Sequence, residues 1–181
     1  TIIPEEFKGK KYCFWFDENS GAHVVVPGKN RYVVLPATPG TTYQTVYVDD
    51  SDNIWYGTVN ESRANMGLTR LTETPGYFHH YLTGTDKEGN LHPVFAITKD
   101  SDGDIWAGTR GIGYVYRIKP DGREIKVSFS HLFPGREAPR ARSLVSDDDG
   151  IWIGCTEDII VHFNKRTGDF RKWNLSLKDL E

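Results

Sequence analysis

The phrase "DSDGDIWAGT", Asp100 to Thr109, has two near-copies in the same chain. They are "DDSDNIWYGT" from Asp49 and "DDDGIWIGCT" from Asp147. A phrase that returns at a steady interval constrains a fold more than any total does, because each copy must build the same local unit. The repeated Trp residues, Trp55, Trp106 and Trp152, stand 51 and 46 residues apart.

Around each Trp the same order of parts recurs. An apolar run comes first: "TVYV" (45–48), "VFAIT" (94–98), "RSLV" (142–145). The Asp-rich turn and the Trp run follow. A third run comes next: "GLTRL" (67–71), "YVYRI" (114–118), "IIVHF" (159–163). After a Pro/Gly/Asp turn a last run closes the unit: "YFHHYL" (77–82), "IKVSF" (125–129), "FRKWNL" (170–175). Every run has the length and the β-branched and aromatic content of a strand, and turn residues bound each one. No window carries a convincing helical period. Four short antiparallel strands per unit of about 40–50 residues describe a β-propeller blade.

The expected fold is therefore all-β. Blades of four antiparallel strands span 41–91, 92–138 and 139–181. A partial N-terminal blade spans 1–40, with Trp15 of "CFWFD" in the repeated Trp place and "HVVVP" and "RYVVL" as its last two strands. Its innermost strand is not recognisable, and Thr1–Phe7 is a poor candidate. A blade buries its faces only against neighbours, so each Trp is expected to pack between sheets. About three full blades and one partial blade make an incomplete propeller. Further blades of the same parent chain, or a second copy, are the expected partners that complete the ring. Balanced charge, 22 basic and 25 acidic residues, gives no footprint for nucleic acid. No apolar run reaches the ~20 residues of a membrane span, so no direct membrane insertion by this segment is expected.

"VFAITKDSDGDIWAGTRGIGYVYRI" (94–118) resembles the two-component regulator propeller repeat. That repeat runs from a Val-led strand through D-x-D-G and a Trp strand ending in G-T to a Gly-led strand. "YQTVYVDDSDNIWYGT" and "ARSLVSDDDGIWIGCT" are similar, and Phe78/Tyr81 and Phe170/Trp173 fit the family's F-x-x-[YW] ending. Cys155 departs from the Thr found at 58 and 109, and "TEDIIVHF" lacks the usual Gly pair. The resemblance implies the periplasmic sensor region of a hybrid two-component receptor, with an oligosaccharide-type ligand and a histidine kinase elsewhere in the parent chain. Two alternatives stand beside it. One is a purely architectural segment or protein-interaction scaffold. The other is a propeller enzyme like streptogramin lyase, which would need a metal-assisted His/Glu site.

Chemical constellations are sparse. Asp100, Asp102 and Asp104 alternate as in a calcium loop, but that loop needs Gly at position six and Glu at twelve. Here Gly103 is fourth and Gly111 twelfth. A hairpin turn explains all three copies, so no metal and no cofactor is expected. His79 and His80 are adjacent in one strand and point to opposite faces. Cys13 and Cys155 read as buried structural thiols, and no nucleophilic triad is apparent, so this segment is not expected to be an enzyme. Loops before the innermost strand and between the second and third strands should share one end of the blades. They gather Arg63, Asn65, His92, Arg110, Arg140 and Arg142. Arg forks suit acidic groups and Asn suits hydroxyls, so these six are the candidate ligand contacts.

Overall fold

The structure, a computed structural model, describes residues 3–7, 10–17, 21–26, 31–35, 41–60, 66–72, 78–82 and 92–175. Among these residues there are sixteen strands in four sheets. The first sheet holds β1 (Ile3–Phe7), β2 (Lys10–Asp17), β3 (Gly21–Val26) and β4 (Arg31–Leu35). The second holds β5 (Thr41–Val48), β6 (Ile54–Asn60), β7 (Gly67–Leu71) and β8 (Phe78–Tyr81). The third holds β9 (Val94–Lys99), β10 (Ile105–Thr109), β11 (Tyr114–Ile118) and β12 (Glu124–Ser128). The fourth holds β13 (Ala141–Ser146), β14 (Gly150–Cys155), β15 (Ile159–Asn164) and β16 (Phe170–Asn174). Within each sheet the strands lie in chain order and pair antiparallel. No α-helix occurs among the described residues; a single 3-10 turn, Ser130–Leu132, lies between the third and fourth sheets. Among the same residues no helix is long and apolar enough to cross a membrane.

These sheets are propeller blades in an unclosed arc. Two details correct the sequence reading. The first sheet is not partial, because Ile3–Phe7 pairs with Lys10–Asp17 along its whole length. This stretch, "IPEEF", hides because Pro and Glu are poor strand formers. Pro is tolerated here because β1 lies at a sheet edge. Trp15 does not take the repeated Trp place either. It is the sixth residue of β2, whereas Trp55, Trp106 and Trp152 are second or third in their strands. Phe16 packs toward the second sheet, 5.9 Å from the ring of Tyr43.

The core lies between sheets, in three apolar clusters. Ala22, Val24 and Leu35 meet Tyr43, Val46, Ile54 and Tyr56. Trp55 and Leu68 meet Ile105, Ala107, Tyr116 and Ile118. Trp106 and Val115 meet Ile151, Ile153, Val161 and Phe163. The third and fourth sheets thus each lay an aliphatic face over the Trp of the sheet before them. Trp55 is 4% exposed and Trp106 0%. Gly57 permits a close approach of the second and third sheets, since a Cβ there would meet the Val94 carbonyl oxygen at 2.6 Å.

Candidate functional site

The repeated Asp turn is a clamp with a single plan. Asp100 accepts the amides of Asp102 and Asp104 at Oδ1, both at 3.0 Å, and the Trp106 indole N–H at Oδ2, at 2.8 Å. Asp49 does the same for Ser51, Asn53 and Trp55. Asp147 serves Asp149, Gly150 and Trp152. One carboxylate therefore fixes the hairpin and aims the Trp into the seam. Partial desolvation pushes the Asp147 carboxyl up. The bonds from the Trp152 indole and the Gly150 and Asp149 amides outweigh that effect and hold it below the usual range.

The carboxylate oxygens of Asp100, Asp102 and Asp104 lie within 4.8 Å of one another. Three cations already meet them. Arg117 contacts Asp104 closely and reaches Asp102 at 3.5 Å; Lys119 bonds Asp104 at 2.8 Å; Lys165 lies 3.3 Å from Asp102. Three positive charges thus stand against the three carboxylates. Lys165 comes from the fourth sheet and also donates to Ser101 Oγ at 2.8 Å, so this cluster rivets two sheets together.

The opposite end of the sheets is built differently. Loops 110–113, 129–140 and 156–158 lie there and are tied by backbone bonds. Ile112 bridges Arg140, and the Gly113 amide donates to the Pro139 carbonyl at 3.1 Å. The Arg110 amide donates to Pro93 O, and the Thr156 amide to Arg140 O. These bonds bring the loops that carry Arg110 and Arg140 to the same end of the sheets. Arg110 is exposed. Arg140 is half-buried, with its Nε enclosed and without a partner among the described residues. Arg63 and Asn65 lie outside the described residues. His92 is only 5% exposed, its ring edge-on to Tyr116 at 5.0 Å. Its side chain therefore presents little open surface.

Sequence reasoning missed a further feature of this end. The innermost strand pair bulges at the same place in three sheets. Gln44, Phe95 and Arg142 are each the extra residue opposite a Gly-Thr or Gly-Cys step. A bulge re-aims its side chain and often borders a functional site. The Arg142 guanidinium lies 4.9 Å from the Phe95 ring centre, so bulged residues of adjacent blades touch. Gln44 and Arg142 are exposed. The Gly two residues after each Trp was the available signal, because it stands opposite the residue that follows the bulge.

His79 and His80 are exposed, and His80 Nδ1 pairs with Thr69 Oγ1 at 3.0 Å. Burial pushes the Cys155 thiol up to about 12. The side chain of Cys13 lies outside the described residues.

Residues 87–111 match the two component regulator propeller family. No curated protein matches the chain. Among solved structures, a virginiamycin B lyase from Staphylococcus aureus is similar over 97% of this chain and 55% of its own, with TM-score 0.69 and 18% identity. The extracellular domain of a putative hybrid two component system from B. thetaiotaomicron matches 92% of this chain and 21% of its own, with TM-score 0.67 and 15% identity. A second such domain from that organism matches 98% and 23%, with TM-score 0.59 and 18% identity. The chain thus spans about half the length of the lyase and about a fifth of the receptor domains. At these identities the likeness shows the fold alone. The matched stretch and the sheet order agree: the chain is a run of β-propeller blades, and its residues 87–111 are similar to the two component regulator propeller repeat.

Proposed function

We propose that this chain is part of an extracellular or periplasmic sensor propeller, and that ligand contact falls on the loop end carrying Arg110, Arg140 and Arg142. The observation that carries this reading is the row of bulged residues, Gln44, Phe95 and Arg142, on three successive innermost strands. A blade needs no bulge to pack. Its repetition beside the Arg-bearing loops supplies an amide, an aromatic face and a guanidinium side by side. That set suits an oligosaccharide with acidic groups: rings stack on Phe95, hydroxyls bond Gln44, and carboxylate or sulfate takes the Arg forks. Arg63 and Asn65, in the loop of the second blade, would extend the same surface. The segment has no catalytic role in this reading, and signalling output, including a histidine kinase, belongs to the parent chain.

The test is a binding titration with an acidic oligosaccharide on the intact sensor. Arg110→Ala and Arg142→Ala are each expected to weaken binding by about 1.5–3 kcal/mol, the range for a hydrogen bond to a charged group. Arg123→Ala serves as the control, because Arg123 lies at the other end of its sheet and pairs locally with Asp121 at 2.8 Å. Equal, negligible effects from all three would leave the architectural scaffold as the better reading. That scaffold reading is favoured by one observation, the engagement of Arg142 with Phe95. A lyase-type reaction lacks comparable support, since His92, the candidate histidine of this end, is packed beneath Tyr116.

A further inference from the structure

The innermost strands β9 and β13 are joined in three ways along their length. At the clamp end the join is polar. Ser146 Oγ donates to the Lys99 carbonyl at 2.7 Å and accepts from Thr98 Oγ1 at 3.4 Å. Midway the strands approach over two small buried residues, Ala96 and Ala141, and a Cβ on Gly108 would meet each of them at 3.4 Å. At the loop end the join is a contact between side chains, the Arg142 guanidinium 4.9 Å from the Phe95 ring centre. Arg142 is exposed and Phe95 half-buried. No carboxylate among the described residues pairs with Arg142, whereas Arg117, Arg123 and Arg136 each hold one.

The backbone on either side of this contact is fixed. Ala141 pairs with Cys155 and Ser143 with Gly154. The Arg140 amide donates to Thr156 Oγ1 at 3.2 Å, and the Thr156 amide donates to Arg140 O at 3.0 Å. Phe95 stands between buried Val94 and Ala96. The part free to move is the Arg142 side chain, because a bulged residue leaves its ladder position unpaired. A guanidinium over a ring at an exposed site is held weakly, whereas a carboxylate or sulfate gives it paired, charge-assisted bonds. An acidic group therefore outcompetes Phe95 for the guanidinium. A neutral sugar ring must displace Arg142 to stack on Phe95 and gives it no equivalent partner. Arg stays protonated at every physiological pH, so the charge that decides is the ligand's.

We infer that Arg142 is a charge-operated cover on Phe95: an acidic group draws the guanidinium away and opens the aromatic face to a sugar ring, while a neutral oligosaccharide meets the face covered. The inference rests on the acidic-oligosaccharide reading above and adds the residue pair that sets selectivity at that site. It gives the Arg142–Phe95 contact a role other than joining blades, namely the closed position of the cover. Charge recognition and ring stacking are then coupled, since the first exposes the surface that the second uses.

The experiment titrates the intact sensor with matched pairs of oligosaccharides. Oligogalacturonate, alginate and heparin-derived fragments are each paired with a carboxyl-reduced, desulfated neutral counterpart. The wild-type sensor is expected to prefer the acidic member of a pair by about tenfold or more. Arg142→Gln is expected to remove about that factor from acidic binding and to raise neutral binding about two- to fivefold, the worth of a cation–π contact at an exposed site. In a Phe95→Leu background, Arg142→Gln is expected to leave neutral binding unchanged, because no aromatic face remains to uncover. This coupling separates a cover from a residue that only holds the loop. Unchanged neutral binding in Arg142→Gln, with acidic binding still weakened by Arg110→Ala, would overturn the cover and leave the acidic-ligand reading standing. A gain in neutral binding that persists with Phe95→Leu would overturn the cover too. Failure of the wild-type sensor to bind any member of the panel would overturn both.

Discussion

Replacing Asp100 separates the two duties of the clamp. Asp100→Asn keeps an oxygen for the amides of Asp102 and Asp104 but turns an NH2 donor toward the indole N–H of Trp106. That indole is fully buried, so water cannot replace the lost acceptor. Leaving a buried donor unsatisfied costs about 1–3 kcal/mol. Asp100→Ala removes all three bonds, each to a charged acceptor, and strips one carboxylate from Arg117 and Lys165. Breaking one partner of a buried ionic cluster costs about 3–5 kcal/mol. Asp147→Ala deletes the same three bonds in the fourth sheet, but Trp152 there is open to water, so the loss is about 1 kcal/mol. Urea unfolding followed by Trp fluorescence and far-ultraviolet circular dichroism reads the difference. At an m-value of about 2 kcal/mol/M, Asp100→Ala is expected to lower the midpoint by about 2 M. The reasoning is refuted if Asp147→Ala costs as much as Asp100→Ala, or if Asp100→Asn is silent.

Two further outcomes follow from packing. Gly57→Ala is expected to cost about 1–3 kcal/mol as overpacking, because its Cβ would strike the Val94 backbone at 2.6 Å; Gly108→Ala, which meets only side chains at 3.4 Å, should cost less in the same unfolding assay. Cys155, its thiol pushed up to about 12 by burial, is expected to resist iodoacetamide at neutral pH and to react once urea unfolds the fourth sheet, since the thiolate is the reactive form; mass spectrometry reads both states.

The blades were legible because three copies align and because strand runs alternate between turn residues with little ambiguity. "GLTRL" and "YVYRI" coincide with β7 and β11 at both ends. Other features resisted for physical reasons. Ile3–Phe7 has a strand's pairing without a strand's composition, and only the edge of β2 calls it into the sheet. His92 looked like a loop histidine, yet the aromatic ring of Tyr116 draws it inward. Lys165 reads as a surface cation and reaches Ser101 across 64 positions of sequence. The Asp–Trp bond was within reach: a clamping Asp stands six, six and five residues before its Trp in the three copies. The bulges were less accessible, because a one-residue slip leaves no mark in composition.

The clamp also sets an order in time. Its bonds link residues two to six apart, so each hairpin can close as soon as its own residues are made. The Trp it aims, by contrast, is covered only by the sheet that follows. During synthesis from the N-terminus, which proceeds at about 5–20 residues per second, each new sheet shields the indole of its predecessor and bares its own. From the second sheet onward the growing arc therefore carries an uncovered aromatic face at its newest sheet. Chaperones and mispairing chains would meet the same surface at every stage, and it would advance along the protein with the ribosome.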